Sequence, residues 1–454
     1  HGRRGARSLV IAVMLLVAAA GGGFAQEQAA SAPLTVEQAL NLAVSNQPLI
    51  QQAQAAVQAA QSRVGQAQSS YYPNLSGTFS YMRVEPDQSF AFDFPPLPPL
   101  SFSLLPVDNW DFHLGLNQII YQFGKRGVQV RLAENGVAAA RIGVEQIRTS
   151  LVFQTAQLFY ASLFLREQVR ALDSQLENLQ QHLAGIQVRE QTGSATQFEV
   201  LSTQVKIASL QSQRTEAENQ YSKQRIALLQ MVGMDPSSEI ALSGEFAEGA
   251  EPADVQTFIA DATANRAEIR QAIEAEEAAD LNRTLSASSG LPTLSARGTL
   301  GYKNAELPDI NAMTFNWTAG LLLNVPLFQG FYTARQIEEG QQRLAAAKAN
   351  TAAVRRTLTT QVLQAYQDLM SARQQVVIAG TGLDQAGRMV EVAKVQYDIG
   401  VITNLEYLDS QTALLLAQLT RLSASYREVL SEYALQQAAG RLPVALGALP
   451  AGSH

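Results

Sequence analysis

The chain contains no cysteine. That absence excludes disulfides, thiolate metal sites, a cysteine nucleophile and a lipid anchor on an N-terminal cysteine. Charge is also scarce, at 16% of residues, and Gln, Ala, Ser and Thr fill the gap. Large neutral polar surfaces suit a water-filled lumen or helix packing between subunits. The four histidines, His1, His113, His182 and His454, have no metal-ligand spacing, and the methionines do not cluster with them. The sequence has no nucleophile elbow, no phosphate-binding glycine loop and no His–acid pair. The expectation is therefore a protein that is not an enzyme and carries no cofactor or resident metal. A net charge of −7 argues against nucleic acid as a partner.

The first residues read as an export signal. Arg3, Arg4 and Arg7 precede an apolar core from Leu9 to Ala20, and Gly23-Phe24-Ala25 fits a small-residue cleavage site. The core is too short for a membrane-spanning helix. Cleavage near Ala25 would remove three positive charges and take the net charge to −10.

An internal repeat organises the rest. Val188-Arg-Glu-Gln-Thr-Gly193-Ser-Ala-Thr196-Gln-Phe-Glu199 aligns without a gap on Val395-Gln-Tyr-Asp-Ile-Gly400-Val-Ile-Thr403-Asn-Leu-Glu406. The offset is 207 residues, and Gly233 falls on Gly440 in the same register. A second offset, of 219, pairs the helix-like stretch 35–70 with 254–286, and Pro73-Asn-Leu75-Ser76 with Pro292-Thr-Leu294-Ser295. The chain is two copies of one unit. Within each copy a long polar helix ends at a glycine able to turn left-handed. A threonine follows three residues later with an acid three beyond it (Thr196/Glu199, Thr403/Glu406), which is a capping box. Each turn is thus either a plain capped helical hairpin or a functional tip. The expected long helices, about 125–192 and 333–399, would each span roughly 100 Å at 1.5 Å per residue. A loop rich in Pro from Glu85 to Pro106 and a linker from Pro236 to Pro252 complete the pattern. The acids Glu274, Glu276, Glu277 and Asp280 read as a solvated helical face.

After each proline the hydrophobic period changes to two. Leu75, Gly77, Phe79 and Tyr81 alternate with polar neighbours, as do Trp110, Phe112, Leu114 and Leu116. In the second copy Leu294, Ala296, Gly298, Leu300 and Tyr302 do so, then Phe315, Trp317, Ala319, Leu321 and Leu323. Strands of about ten residues with aromatics near their ends fit transmembrane β-strands; a half-buried hairpin on a soluble core is the blander reading, and four such strands behind an export signal favour the membrane. Four strands are too few to close a barrel, and open edges in hydrocarbon leave backbone groups unpaired. Strands that span a bilayer therefore require several chains. A soluble periplasmic coiled-coil adaptor or scaffold is the alternative. It explains the helices and the signal, and leaves the four aromatic-bordered strands unexplained.

Taken together, the duplication, Tyr72-Pro73-Asn74-Leu75, Pro326-Leu327-Phe328-Gln329-Gly330 and Gly400-Val-Ile-Thr403-Asn-Leu-Glu406-Tyr-Leu-Asp409 resemble the TolC-like outer-membrane efflux protein family (outer membrane factors) over roughly residues 34–441. The resemblance implies a mixed fold, all-α plus transmembrane β. Long antiparallel helices would form a coiled-coil α-barrel, and four strands per chain a twelve-stranded β-barrel in a homotrimer. The implied protein is the exit duct of a tripartite efflux or type I secretion system, in the outer membrane of a Gram-negative-type cell and extending into the periplasm. Its partners would be outer-membrane lipid, a periplasmic adaptor (membrane fusion) protein and an inner-membrane pump of RND, ABC or MFS type. The periplasmic gate would fall on Glu406, Asp409, Tyr397 and, in the first copy, Glu199, and the adaptor would dock on the tip turns at Gly193, Thr196, Gly400 and Thr403. Three copies of two acids at a narrow aperture would raise one another's pKa, favour cations and admit a divalent-ion block at Asp409. Ile402 stands where the family often has an arginine latch, which leaves closure to Tyr397, Arg189 or Lys394.

The expected layout is a signal peptide (1–25), a tail (26–34), a periplasmic helix (35–70), two outer-membrane strands with an extracellular loop (71–123) and a long helical hairpin (124–234). An equatorial linker (235–253), a second periplasmic helix (254–290), two more strands (291–329), a second hairpin (330–440) and a C-terminal tail (441–454) follow.

Overall fold

The computed structural model describes residues 33–442, apart from 86–88, 94, 97, 99, 104, 247–248, 250 and 308. The expected signal at 1–25 and the tail beyond 442 lie outside the described residues. The first copy runs α1 (Val36–Asn46), α2 (Pro48–Gln68), β1 (Asn74–Arg83), β2 (Ser89–Phe92), β3 (Leu100–Ser103), β4 (Asp108–Tyr121), α3 (Lys125–Gln191) and α4 (Gln197–Val232). The second runs α5 (Val255–Asn265), α6 (Ala267–Ser288), β5 (Thr293–Lys303), β6 (Thr314–Asn324), α7 (Tyr332–Asp398) and α8 (Asn404–Ala438). The strands β1-β4-β5-β6 make one antiparallel sheet in that order.

Three expectations change. The helix expected over 35–70 is two helices. Thr35 opens α1 with a capping box to Gln38, and the helix stops at Gln47 (φ −70°, ψ 124°). Pro48, the first residue of α2, has no N–H to donate and holds the residue before it extended. The stretch at 254–286 breaks at the corresponding place without a proline. Arg266 is extended there (φ −63°, ψ 137°), and its guanidinium donates to Gln361 Oε1 (2.9 Å), the Ala438 carbonyl (3.3 Å) and Glu268 Oε2 (3.0 Å). Burial alone would raise the Glu268 pKa; the Arg266 bonds outweigh it and hold that carboxyl below its usual range. Second, the Pro-rich loop holds a ribbon, β2 against β3, with Phe90 opposite Phe102. Third, three of the acids on that exposed face of α6 have side-chain partners. Glu274 accepts from Asn135 (2.6 Å), Asp280 from Arg283 (2.9 Å), and Glu277 lies 3.6 Å from Arg131.

The register of the sheet puts the alternating apolar positions on one face, with Met82 and Leu322 falling on the other. Leu75 lies opposite Leu116, Phe79 opposite Phe112 and Tyr81 opposite Trp110. Phe112 in turn faces Tyr302, which faces Phe315, and Leu300 faces Trp317. Ser76, Thr78, Asp111, His113, Asn117, Arg297, Thr299, Asn316 and Thr318 share the opposite face. The apolar side chains are exposed (Phe79 64%, Trp317 69%, Leu321 72%) although they make a contiguous sheet of hydrocarbon. Nothing among the described residues covers that face.

Both long helices contain 67 residues, about 100 Å at the usual rise. Most of their length is amphipathic packing between neighbours, and the tightest cores sit at mid-height, where α1 and α5 cross them. In the first copy Ala43, Phe159, Leu228 and Val232 are fully buried together; in the second Ala262, Val362, Leu435 and Ala439 are. The same offsets that align the sequence, 219 and 207, superpose Ala43 on Ala262, Leu228 on Leu435 and Val232 on Ala439. Burying each Phe, Leu or Val among them contributes about 1.5–3 kcal/mol, so these crossings anchor otherwise open struts.

Candidate functional site

The two hairpin turns lie side by side at the end of the molecule remote from the sheet. Gly193 (φ +77°) and Gly400 (φ +78°) are both left-handed, as the turns demand, and each closes its helix. The Ser194 amide donates to the Arg189 carbonyl (2.8 Å) and the Val401 amide to the Gln396 carbonyl (2.8 Å). The capping box closes fully in the second copy. Thr403 N–H donates to Glu406 Oε2 (2.7 Å), and the Glu406 amide donates back to the Thr403 hydroxyl (3.3 Å). In the first copy the described bond is the hydroxyl half alone, from the Glu199 amide to Thr196 (3.3 Å).

Glu406 and Asp409 lie on the exposed side of α8, while Tyr407 and Leu408 between them and Ser410 after them are buried. The two bonds from Thr403 hold the Glu406 carboxyl below its ordinary pKa. Glu406 is thus a cap first; Asp409 has no such tie among the described bonds. Glu199 is half-buried and enters the site through its backbone carbonyl. Gly193, Thr196, Gly400 and Thr403 are exposed on the tip.

Tyr397 is packed within its own hairpin. It is 9% exposed and stacks on Tyr407, with ring centroids 5.5 Å apart and planes 16° from parallel. Ile402, at the position of the missing arginine, packs against this pair together with Ala393. His182 of α3 sits against both rings, 5.2 Å from Tyr397 and 4.6 Å from Tyr407. Its Nε2 is 2.7 Å from Asn404 Oδ1. Asn404 is 3% exposed, and its amide nitrogen reaches Thr203 Oγ1 (3.2 Å), Ser202 Oγ (3.4 Å) and the Glu199 carbonyl (3.4 Å). One side chain thus joins α8 to α3 and α4. Deeper in, Gln411 donates to the Tyr407 hydroxyl (2.9 Å) and accepts from Gln175 (3.2 Å). Arg189 bridges to Asp398 (2.8 Å) and lies over the Tyr397 ring at 5.2 Å. A cleft of about 430 Å³ runs between the hairpins, lined by His182, Arg189, Glu391, Lys394, Tyr397 and Asp398, among others.

The structure therefore brings Tyr397 and Glu199 into one network and leaves Glu406 and Asp409 facing outward. Sequence reasoning missed His182, Asn404, Tyr407 and Asp398. His182 gave no metal spacing, and Asn404 lay unremarked inside the tip motif. Their pairing across more than 200 residues has no local signal. Among the described residues no group of three or more His, Asp or Glu is placed to hold a metal.

The family model for the outer membrane efflux protein matches residues 39–234 and 258–441. The outer membrane efflux protein BepC of Brucella suis is 22% identical over 417 residues, 90% of this chain and 86% of its own. The outer membrane protein TolC of Vibrio cholerae is 23% identical over 421 residues, covering 88% and 90%. Among solved structures, the Campylobacter jejuni CmeC outer membrane channel superposes with a TM-score of 0.72 at 20% identity, over 89% of this chain and 85% of that one.

Proposed function

The chain belongs to the outer membrane efflux protein family, and on that premise we propose that three copies form the exit duct of a tripartite efflux or secretion system, gated at its periplasmic tip. The observation that carries this reading is the bare apolar face of the four-stranded sheet, with β1 and β6 left as open edges. In hydrocarbon those edges must find partners. Joining β6 of one copy to β1 of the next closes the sheet, and three copies supply twelve strands, within the range of known barrels. Strands of 10 to 14 residues are long enough to cross the bilayer tilted. No described helix is long and apolar enough to cross a membrane. A soluble coiled-coil scaffold would leave the apolar face in water.

The helical hairpins then continue the barrel into the periplasm. Glu406 and Asp409 of three copies form an acidic ring where the tips converge, which favours cations and binds divalent ions. The exposed turns at Gly193–Thr196 and Gly400–Thr403 offer two near-equivalent docking points to an adaptor, which links the duct to an inner-membrane pump. Gly400→Trp should block transport while trimers still assemble; full transport by that variant would remove the turns from the docking surface.

The test of the duct is conductance of the purified protein in a planar bilayer, with and without millimolar divalent cation on the tip side. Discrete cation-selective steps blocked by the divalent ion support both duct and ring. Steps without block keep the duct and discard the ring. No steps from folded protein overturn the duct.

A further inference from the structure

We propose that His182 and Asn404 are the positioning pair that holds the gate closed, and that protonation of His182 releases it, so that the duct opens in mild acid. The inference rests on the gated-duct reading above and adds the group that controls the gate.

Asn404 fixes the chemistry of the contact. Its amide nitrogen faces the Thr203 hydroxyl and the Glu199 carbonyl, so its oxygen faces His182. That oxygen only accepts, which makes His182 Nε2 the donor and leaves Nδ1 without a proton in the neutral ring. The ring packs against both Tyr397 and Tyr407, one from each helix of the second hairpin, while His182 itself belongs to the first. Any outward swing of the α7–α8 hairpin relative to α3–α4 must break this contact.

The surroundings favour a neutral ring. Burial against the two tyrosines disfavours the imidazolium, and the Arg189 guanidinium repels it. The Asn404 oxygen, Asp398 and Glu199 act the other way, but Asp398 is already paired with Arg189 at 2.8 Å. Glu391 and Lys394 of α7 line the same cleft with opposite charges. No charged residue of α8 lines it, where Tyr407, Gln411 and Leu414 stand. The net effect lowers the His182 pKa below its ordinary 6.5. The sign follows by linkage. A swung-out hairpin exposes the ring, which then titrates near 6.5; the latched hairpin binds the proton more weakly. Latching is at full strength above about pH 6.5 and weakens as pH falls towards the lowered value, by up to about tenfold per pH unit for each chain. The Glu406 carboxyl is held below its ordinary range by Thr403 and stays charged through this window.

The experiment is single-channel recording of the whole protein between pH 7.5 and 5.5. The wild type should open more often as pH falls from about 6.5, by up to about tenfold per unit for each chain. His182→Gln keeps a donor for Asn404 without a titratable proton, and its opening frequency should be flat and low across the range. Asn404→Ala should open at pH 7.5 already and lose most of the pH dependence. A flat wild-type profile, or the same slope in His182→Gln, overturns the proposal while leaving the duct intact. Absence of any conductance from folded trimers overturns the duct and this inference together.

Discussion

Four residues carry separable predictions at the scale of single side chains. Gly233 ends α4 at φ +74°, and a Cβ there would come within 2.7 Å of Asn46 Cβ. Gly233→Ala thus adds a collision to left-handed strain, and should cost about 1–3 kcal/mol and lower the thermal midpoint by several degrees. Gly193 has the same φ but open space around it, so Gly193→Ala should cost only the strain, about 1 kcal/mol. Equal midpoints for the two variants would show that Asn46 yields freely. Asp409 is exposed and serves no cap, so Asp409→Ala should leave stability unchanged while raising conductance and weakening cation selectivity. Unchanged selectivity in bilayer recordings would remove Asp409 from the ring. The box around Glu406 has its own pH limit. Its carboxyl is held below the usual value by Thr403, so that cap contributes fully above the ordinary carboxylate pKa and is lost only as pH falls through the lowered one.

At the scale of elements, the sheet divides an apolar face from a polar one, residue by residue. Leu300 and Thr299 are neighbours in β5, yet Leu300 faces Trp317 on the bare apolar side and Thr299 bonds to Thr318 on the other (2.7 Å). Leu300→Arg should cost about 2–4 kcal/mol if that face meets the bilayer midplane. Thr299→Arg should change conductance far more than stability. Denaturant unfolding of lipid-reconstituted protein measures both, and equal costs would remove lipid from that face. The strand-to-helix exits show why such elements cannot be read from propensity alone. Each copy leaves the sheet through two successive left-handed residues, Phe123-Gly124 and Gly330-Phe331. The order of glycine and aromatic is reversed between copies. A phenylalanine at positive φ is strained, and here it sits where aromatics gather at one rim of the sheet: Tyr121 against Phe123, and Phe328 against Phe331.

At the scale of the whole molecule the prediction concerns closure. β1 and β6 are opposite edges of one sheet, separated by two intervening strands, so about 14 Å lies between them within a chain. A disulfide cannot bridge that distance. Because the chain has no cysteine, one cysteine placed on each edge strand makes a clean reporter. Oxidation in lipid should yield covalent dimers and trimers and then stop. Monomers alone, across several register choices, would overturn closure through β6 and β1. Native mass measurement of the same sample should give three chains.

Much of this architecture is legible in the sequence because it is written in local periods. Alternation of two at 74–81 and 315–323, the capping residues Thr196 and Thr403, and the left-handed Gly193 and Gly400 act within a few residues of themselves, and duplication states each signal twice. The break at Gln47 was also local, in Pro48, whereas the break at Arg266 is held by Gln361 and Ala438, far along the chain. The tip network was not legible for the same reason. Sequence resemblance pointed to Tyr397, but only folding places His182 and Asn404 around it, because α3 and α8 meet through packing that no spacing encodes. Local backbone preference and hydrophobic period fix which elements form and which face they bury. Long-range packing decides which polar side chains are trapped between them, and there the chain keeps the contacts that would hold a gate.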